Sequence, residues 1–287
     1  MISSIADYQV LGPLGDDPDE RLFLAVPPPR LGLAADRVAI KIQPGLMTPA
    51  QVQRATRELR IFAAVRSPFL VELYDAGQEG DRLFYAMEHP SLGTLAVPAR
   101  VLTADEQLRA VAHAARGAHA LHEAGIAHRN ITPSRVLLHE EGAKLADLGM
   151  AKFIAAGLTL TQTPAVADIE YLDPAVLQGS TASRASDIWS LGVTLHWVMS
   201  GSQPMHPGLP GQQPLAAVRQ VLNEPPMIAS TVAPAVAAVI RAALSPDPAE
   251  RPATAAELAD RIDDLRGGPV SGGPVPDGSA GRGREAS

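Results

Sequence analysis

Cysteine is absent from this 287-residue chain, and lysine is nearly so. Without Cys, disulfide frameworks, thiolate nucleophiles and Cys-ligated metal sites are excluded. Of 24 basic residues only three are lysine: Lys41, Lys144 and Lys152. Aromatic residues make up 4%, and the formal net charge is −7. An acidic chain is a poor ligand for nucleic-acid backbones, because that affinity comes from clustered Lys and Arg releasing counterions. No nucleic-acid partner is therefore expected. Long apolar runs are missing as well. The most apolar stretch, Val232 to Leu244, is interrupted by Pro234 and Arg241 and is too short to span a bilayer. The N-terminus lacks the basic region and apolar run of an export signal. The expectation is a soluble, cytoplasmic protein with no membrane insertion.

What is present is a sizeable core. Hydrophobic residues make up 46% of the chain, enough for one large domain or two small ones. The 24 Gly and 26 Pro exceed the usual share and imply many loops. No internal period recurs, which argues against a solenoid. The first 88 residues read as strands: Tyr8–Leu14, Arg21–Val26, Arg37–Ile42, Leu70–Gly77 and Arg82–Glu88, separated by Gly, Pro and Asp clusters. One helix interrupts them. Thr48-Pro49-Ala50-Gln51 fits a capping box, and Val52, Ala55, Leu59, Phe62 and Ala63 follow at helical spacing. From about residue 93 the chain reads as helices over 104–124, 184–200, 213–222, 233–244 and 254–266, the last opened by Thr254-Ala255-Ala256-Glu257. Short strand-like runs, Val136–Leu138 and Ala143–Ala146, lie between the first two. The pattern predicts an α+β, bilobal architecture: a small β-rich lobe with one helix over 1–88, a larger helical lobe over 89–266, and a flexible Gly/Pro-rich tail over 267–287. A cleft between lobes is the default ligand site.

Lys41 ends the run Val38-Ala39-Ile40-Lys41. It reads either as an edge-strand lysine or as a buried one with a task, and the scarcity of lysine favours the task. Glu58 falls on the apolar stripe of the next helix, where a carboxylate needs a partner. A Lys41–Glu58 ion pair is predicted. Further on, His128-Arg129-Asn130-Ile131-Thr132-Pro133-Ser134-Arg135 precedes Lys144-Leu145-Ala146-Asp147-Leu148-Gly149, Asp187-Ile188-Trp189-Ser190-Leu191-Gly192 and Glu250-Arg251-Pro252. In this order and at this spacing, the segments from about Tyr8 to Arg266 resemble the protein kinase superfamily, bacterial Ser/Thr kinases most closely.

The resemblance implies a bilobal kinase fold, and the departures from the family pattern carry the functional expectation. The catalytic-loop Asp, which accepts the substrate hydroxyl proton, is matched by Asn130. A neutral amide cannot be that base, and losing general-base catalysis costs about 10²–10⁴-fold in rate. The family's catalytic-loop Lys is matched by Thr132, and its Asn ligand for a second metal by Arg135, a fixed cation. The phosphate loop retains Gly15 but has Asp17 and Glu20 at the other two glycine positions. Facing a phosphate at about 6 Å, one carboxylate costs roughly 3 kcal/mol at an effective dielectric near 20. As a solvated hairpin tip it would face away, and in both arrangements it is a poor phosphate cradle. Ala175 replaces the Glu that would pair with Arg251, and Asp168 stands where the family usually has Thr. An Asp168 contact to Asn130, Thr132, Arg129 or Arg135 is predicted to close the site internally.

Other parts survive. Lys41 and Glu58 match the residues that hold phosphates, Asp147 matches a metal ligand, and Phe84-Tyr85-Ala86-Met87-Glu88 resembles the connector that receives adenine. Met87 reads equally as core filler. ATP and Mg2+ binding is thus expected to be weak, and neither is required. Thr159, Thr161 and Thr163 fall in the activation-segment position and read either as phosphate acceptors or as a polar loop. The remaining histidines show no metal-site spacing. The expectation is a pseudokinase acting as scaffold or allosteric regulator in bacterial Ser/Thr phosphosignalling, partnered by an active kinase or a phosphopeptide-binding protein. Two alternatives stand beside it: a weakly active Ser/Thr kinase, and an ATP-binding sensor without turnover.

Overall fold

The computed structural model describes residues 3–14, 22–43, 49–80, 82–147, 166–211 and 213–266. The phosphate-loop residues Gly15, Asp17 and Glu20, the threonines Thr159, Thr161 and Thr163, Thr48 and the tail over 267–287 lie outside the described residues.

The β-rich region holds β1 (Ser4–Ile5), β2 (Tyr8–Pro13), β3 (Leu22–Val26), β4 (Val38–Ile42), β5 (Leu73–Glu79) and β6 (Arg82–Glu88). They form one antiparallel sheet in the order β1-β2-β3-β4-β6-β5. β4 runs between two neighbours, which suits its β-branched, buried Val38 and Ile40. Side chains alternate across a sheet. Val38, Ile40, Phe84 and Ala86 therefore pack with Ile5 and Tyr8 on one face. Ala39, Tyr85 and Met87 take the other, where α1 (Pro49–Ala64) contributes Ala55, Leu59 and Phe62. The apolar stripe read from the sequence is the buried face of that helix. Lys41 lies directly opposite Tyr85 in the β4–β6 register, so both share this second face. The strand expected from Leu70 starts at Leu73 instead, because Leu70 is bridged to Leu145.

The helical region opens with α2 (Ala104–Glu123), whose N-terminus is closed by a reciprocal cap. The Glu106 N–H donates to Thr103 Oγ1 at 3.2 Å, and the Thr103 N–H donates to Glu106 Oε2 at 2.8 Å. A hairpin follows, β7 (Val136–His139) with β8 (Gly142–Leu145). Next come two short helices, α3 (Val166–Ile169) and α4 (Pro174–Leu177), then α5 (Arg184–Met199), α6 (Pro214–Asn223), α7 (Pro234–Ala243) and α8 (Ala255–Arg266). α5 is buried continuously from Ser186 to His196, as expected for a helix without a polar face. Among the described residues no helix is long and apolar enough to cross a membrane.

The two regions are stitched at β8. The Leu145 N–H donates to the Phe69 carbonyl at 2.8 Å, and the Val71 N–H donates to the Leu145 carbonyl at 3.0 Å. α2 comes so close here that a methyl group on Gly117 would lie 2.5 Å from the Phe69 oxygen. Leu145 thus fixes the segment that delivers Asp147 to the junction. The observed architecture is the bilobal α+β arrangement read from the sequence.

Candidate functional site

The loop between α2 and β7 is organised by one buried aspartate. Asp187, fully buried on α5, accepts hydrogen bonds from the backbone N–H groups of His128 at 2.6 Å and Arg129 at 2.7 Å. The His122 Nε2 lies 2.8 Å from the same carboxylate. Two successive N–H groups can converge on one carboxylate only if the chain kinks, and Arg129 takes φ 70°. Such a backbone costs on the order of 1–3 kcal/mol and persists only where surroundings impose it. His128 Nε2 bonds the Ala146 carbonyl at 2.9 Å, so the loop is tied to the residue before Asp147. Burial holds the His128 imidazole below its ordinary value, and the neutral ring donates from Nε2.

This scaffold brings Asn130, Thr132, Arg135 and Asp147 together. Asn130 and Thr132 are buried. With the Asn130 amide oxygen facing the guanidinium, it accepts from Arg135 Nε and NH2, each at 2.8 Å. Arg135 NH1 donates to Thr132 Oγ1 at 2.8 Å. Asp168 Oδ2 lies 3.9 Å from Arg135 NH2, so the predicted closing contact is made with Arg135. Asp147 follows β8 with φ 70° and receives donors from the sheet. Its Oδ2 accepts from Lys41 and its Oδ1 from the Tyr85 hydroxyl, while Arg135 Nε stands 3.7 Å away. Burial pushes the Asp147 carboxyl up, but Lys41, Arg135 and Tyr85 outweigh it and hold the group at about 2. Burial and the adjacent carboxylate push the Tyr85 phenol well above its usual value, so it remains a neutral donor.

One expectation is corrected here. Among the described residues the ion pair of Lys41 is with Asp147, not with Glu58. The alternation of β4 aims Lys41 at the junction, where the turn after β8 presents a carboxylate. Glu58 sits half-buried on α1. Met87 is 2% exposed within the larger core cluster. The Glu88 carboxylate is held by Lys144 at 2.6 and 2.7 Å, and its backbone N–H donates to the Glu72 carbonyl at 2.9 Å.

Tyr85 is the residue sequence reading missed. The available signal was its register: it faces Lys41 directly across the sheet and so points where Lys41 points. Arg251, deprived of a Glu at position 175, is also resolved. It is buried, pairs with Asp173 (two residues before position 175), donates to the Ala185 carbonyl at 2.9 Å and lies over the Trp189 ring.

The resemblance implies a divalent metal at Asp147, and these residues do not fit one. Both Asp147 oxygens already accept from protein donors, and a guanidinium stands beside them. A divalent ion about 5 Å from that guanidinium is repelled by roughly 7 kcal/mol at an effective dielectric near 20, before the carboxylates are counted.

Comparison with known proteins accords with this geometry. A family model described as "Protein kinase domain" matches residues 33–261. The chain is 31% identical over 243 residues to serine/threonine-protein kinase PknB of Mycolicibacterium smegmatis, covering 80% of this chain and 37% of that protein. It is 30% identical over 224 residues to PknB of Mycobacterium tuberculosis, covering 73% and 35%. It is 29% identical over 283 residues to serine/threonine-protein kinase pkn2 of Myxococcus xanthus, covering 89% and 32%. The chain spans about a third of the length of these curated relatives. Sheet, helical region, Asp187-anchored loop and family match converge: the chain belongs to the protein kinase superfamily and is similar to bacterial serine/threonine kinases.

Proposed function

We propose that the chain is a pseudokinase, a kinase fold that binds and regulates a protein partner without competent phosphotransfer. The observation that carries this reading is Asn130. The side chain at the base position is a neutral amide whose oxygen is engaged by Arg135. It has no carboxylate to accept a proton from a hydroxyl, and the cation beside it stabilises the amide rather than a transferring phosphoryl group. Catalysis of phosphoryl transfer rests on positioning and charge stabilisation, and Thr132 and Arg135 stand where the family pattern places a lysine and a metal ligand. The partner is an active kinase or a phosphopeptide-binding protein of a bacterial Ser/Thr signalling system, met in the cytoplasm. Neither ATP nor Mg2+ is required for this role.

The test is transfer of radiolabel from the γ-phosphate of ATP to the chain itself and to a generic Ser/Thr peptide. No incorporation is expected in the wild type. None is expected in Asn130→Asp either, because Thr132 and Arg135 remain. Incorporation by the wild type that Lys41→Met abolishes would establish a weakly active kinase instead.

A further inference from the structure

We infer that the Arg135 guanidinium occupies, in this chain, the place of a divalent metal ion, so that the cleft excludes Mg2+ and Mn2+ and any polyphosphate entering it meets an arginine instead. Among the described residues five oxygen-bearing side chains surround this one cation, Ser134 Oγ being 3.5 Å from NH1. The Asn130 amide oxygen lies 2.8 Å from both Nε and NH2, and Thr132 Oγ1 lies 2.8 Å from NH1. Asp147 Oδ2 is 3.7 Å from Nε, and Asp168 Oδ2 is 3.9 Å from NH2. Amide, hydroxyl and carboxylate oxygens are the donor types a hard divalent cation takes. Here a covalently tethered organic cation gathers them. It is part of the chain and cannot be diluted or chelated away.

The guanidinium is also well placed to stay. Its side chain is 15% exposed. Its planar fork brings two N–H groups to the single amide oxygen, a geometry a lysine could not reproduce. The carboxylate a metal would need most is committed from the opposite side, with Lys41 and Tyr85 bringing donors from β4 and β6. Among the described residues no three His, Asp or Glu side chains converge as an alternative metal site. The inference shares the cleft with the proposed pseudokinase role but rests on the cation's ligands rather than on absent transfer. A metal could bind to a chain that transfers nothing, so the two claims fail separately.

The experiment is a titration of Mn2+ into the full chain, with the free ion followed by its paramagnetic resonance signal. The wild type is expected to leave Mn2+ free up to millimolar concentrations. Arg135→Asn removes the cation and supplies an amide oxygen. It is expected to gain at least ~10-fold in Mn2+ affinity, about 1.4 kcal/mol, and to lose the gain when Asp147→Asn is added. Circular dichroism melts establish that each variant is folded, and Arg135→Gln serves should Arg135→Asn not fold. Mn2+ binding by the wild type that Asp147→Asn removes would overturn the inference, as would a folded variant without the gain. ATP affinity measured in EDTA and in excess Mg2+ adds an independent reading. The metal is expected to confer no gain on the wild type, and a gain abolished by Asp147→Asn would contradict the proposal.

Discussion

Asp187 is buried and Asp147 partly so, and each gathers three partners that differ in kind. Asp187 is served by two backbone N–H groups of the loop it organises and by His122 from the last turn of α2. Asp147 is approached by Lys41, Tyr85 and Arg135, side chains drawn from both halves of the molecule. The first arrangement shapes a backbone and asks for no ligand. The second consumes the side chains that a nucleotide and a metal would use. The contrast teaches that a fold can keep the framework that displays a catalytic loop while the cleft satisfies its own charges.

The largest expected effect lies on the framework side. Asp187→Ala leaves two N–H groups and His122 without their acceptor, and should cost about 3–5 kcal/mol in a denaturant melt. Asp173→Ala is next. Arg251 keeps the Ala185 and Ser245 carbonyls, each at 2.9 Å, so the expected loss is about 2–3 kcal/mol. A loss near zero would mean that the ring of Trp189 and the carbonyls suffice.

Cleft substitutions should cost less. Asp147→Asn keeps an acceptor for Tyr85 and leaves Lys41 able to reach water at 18% side-chain exposure. The loss should be about 1–2 kcal/mol, and Tyr85→Phe should lose about 1 kcal/mol. If either matched Asp187→Ala, the two carboxylates would be equivalent structural anchors and the contrast would fail.

The gentlest probe is pH. Burial holds the imidazoles of His113, His128, His139, His196 and His206 below their ordinary value of 6.5. The unfolded chain then binds more protons than the folded one as pH falls below that value. Stability is present above about pH 6.5 and should decline steadily on acidification, read as the urea midpoint against pH. Asp147, whose carboxyl sits at about 2, keeps its contribution until far lower pH. Loss beginning only near pH 4 would assign acid sensitivity to carboxylates instead.

Much of this was legible in the sequence where a local rule applied. Arg82–Glu88 is a strand over the range read from the sequence, and α2 begins at Ala104, where its helical run was read to begin. Asn130, Thr132 and Asp147 all stand around Arg135. What local rules could not supply were partners chosen by tertiary closure. Lys41 and Glu58 are close in sequence, but the meeting of the two regions at β8 hands Lys41 to Asp147. Tyr85 reads as an apolar strand residue until the register sets it opposite Lys41. Asp173 could replace the missing Glu only because it caps α4, a four-residue helix too short to announce itself by periodicity. Among the residues the structure describes, what was missed lies mostly at the cleft and its supports, where side chains from distant segments satisfy one another.

The most direct test of a cleft closed upon its own side chains is the melting temperature of the full chain with ATP, once with Mg2+ and once with chelator. A ligand present at 100 times its dissociation constant adds about 2.7 kcal/mol of stability. The account predicts that Mg2+ adds nothing to whatever shift ATP produces. A stabilisation that appears only with Mg2+ and disappears in Asp147→Asn would contradict it.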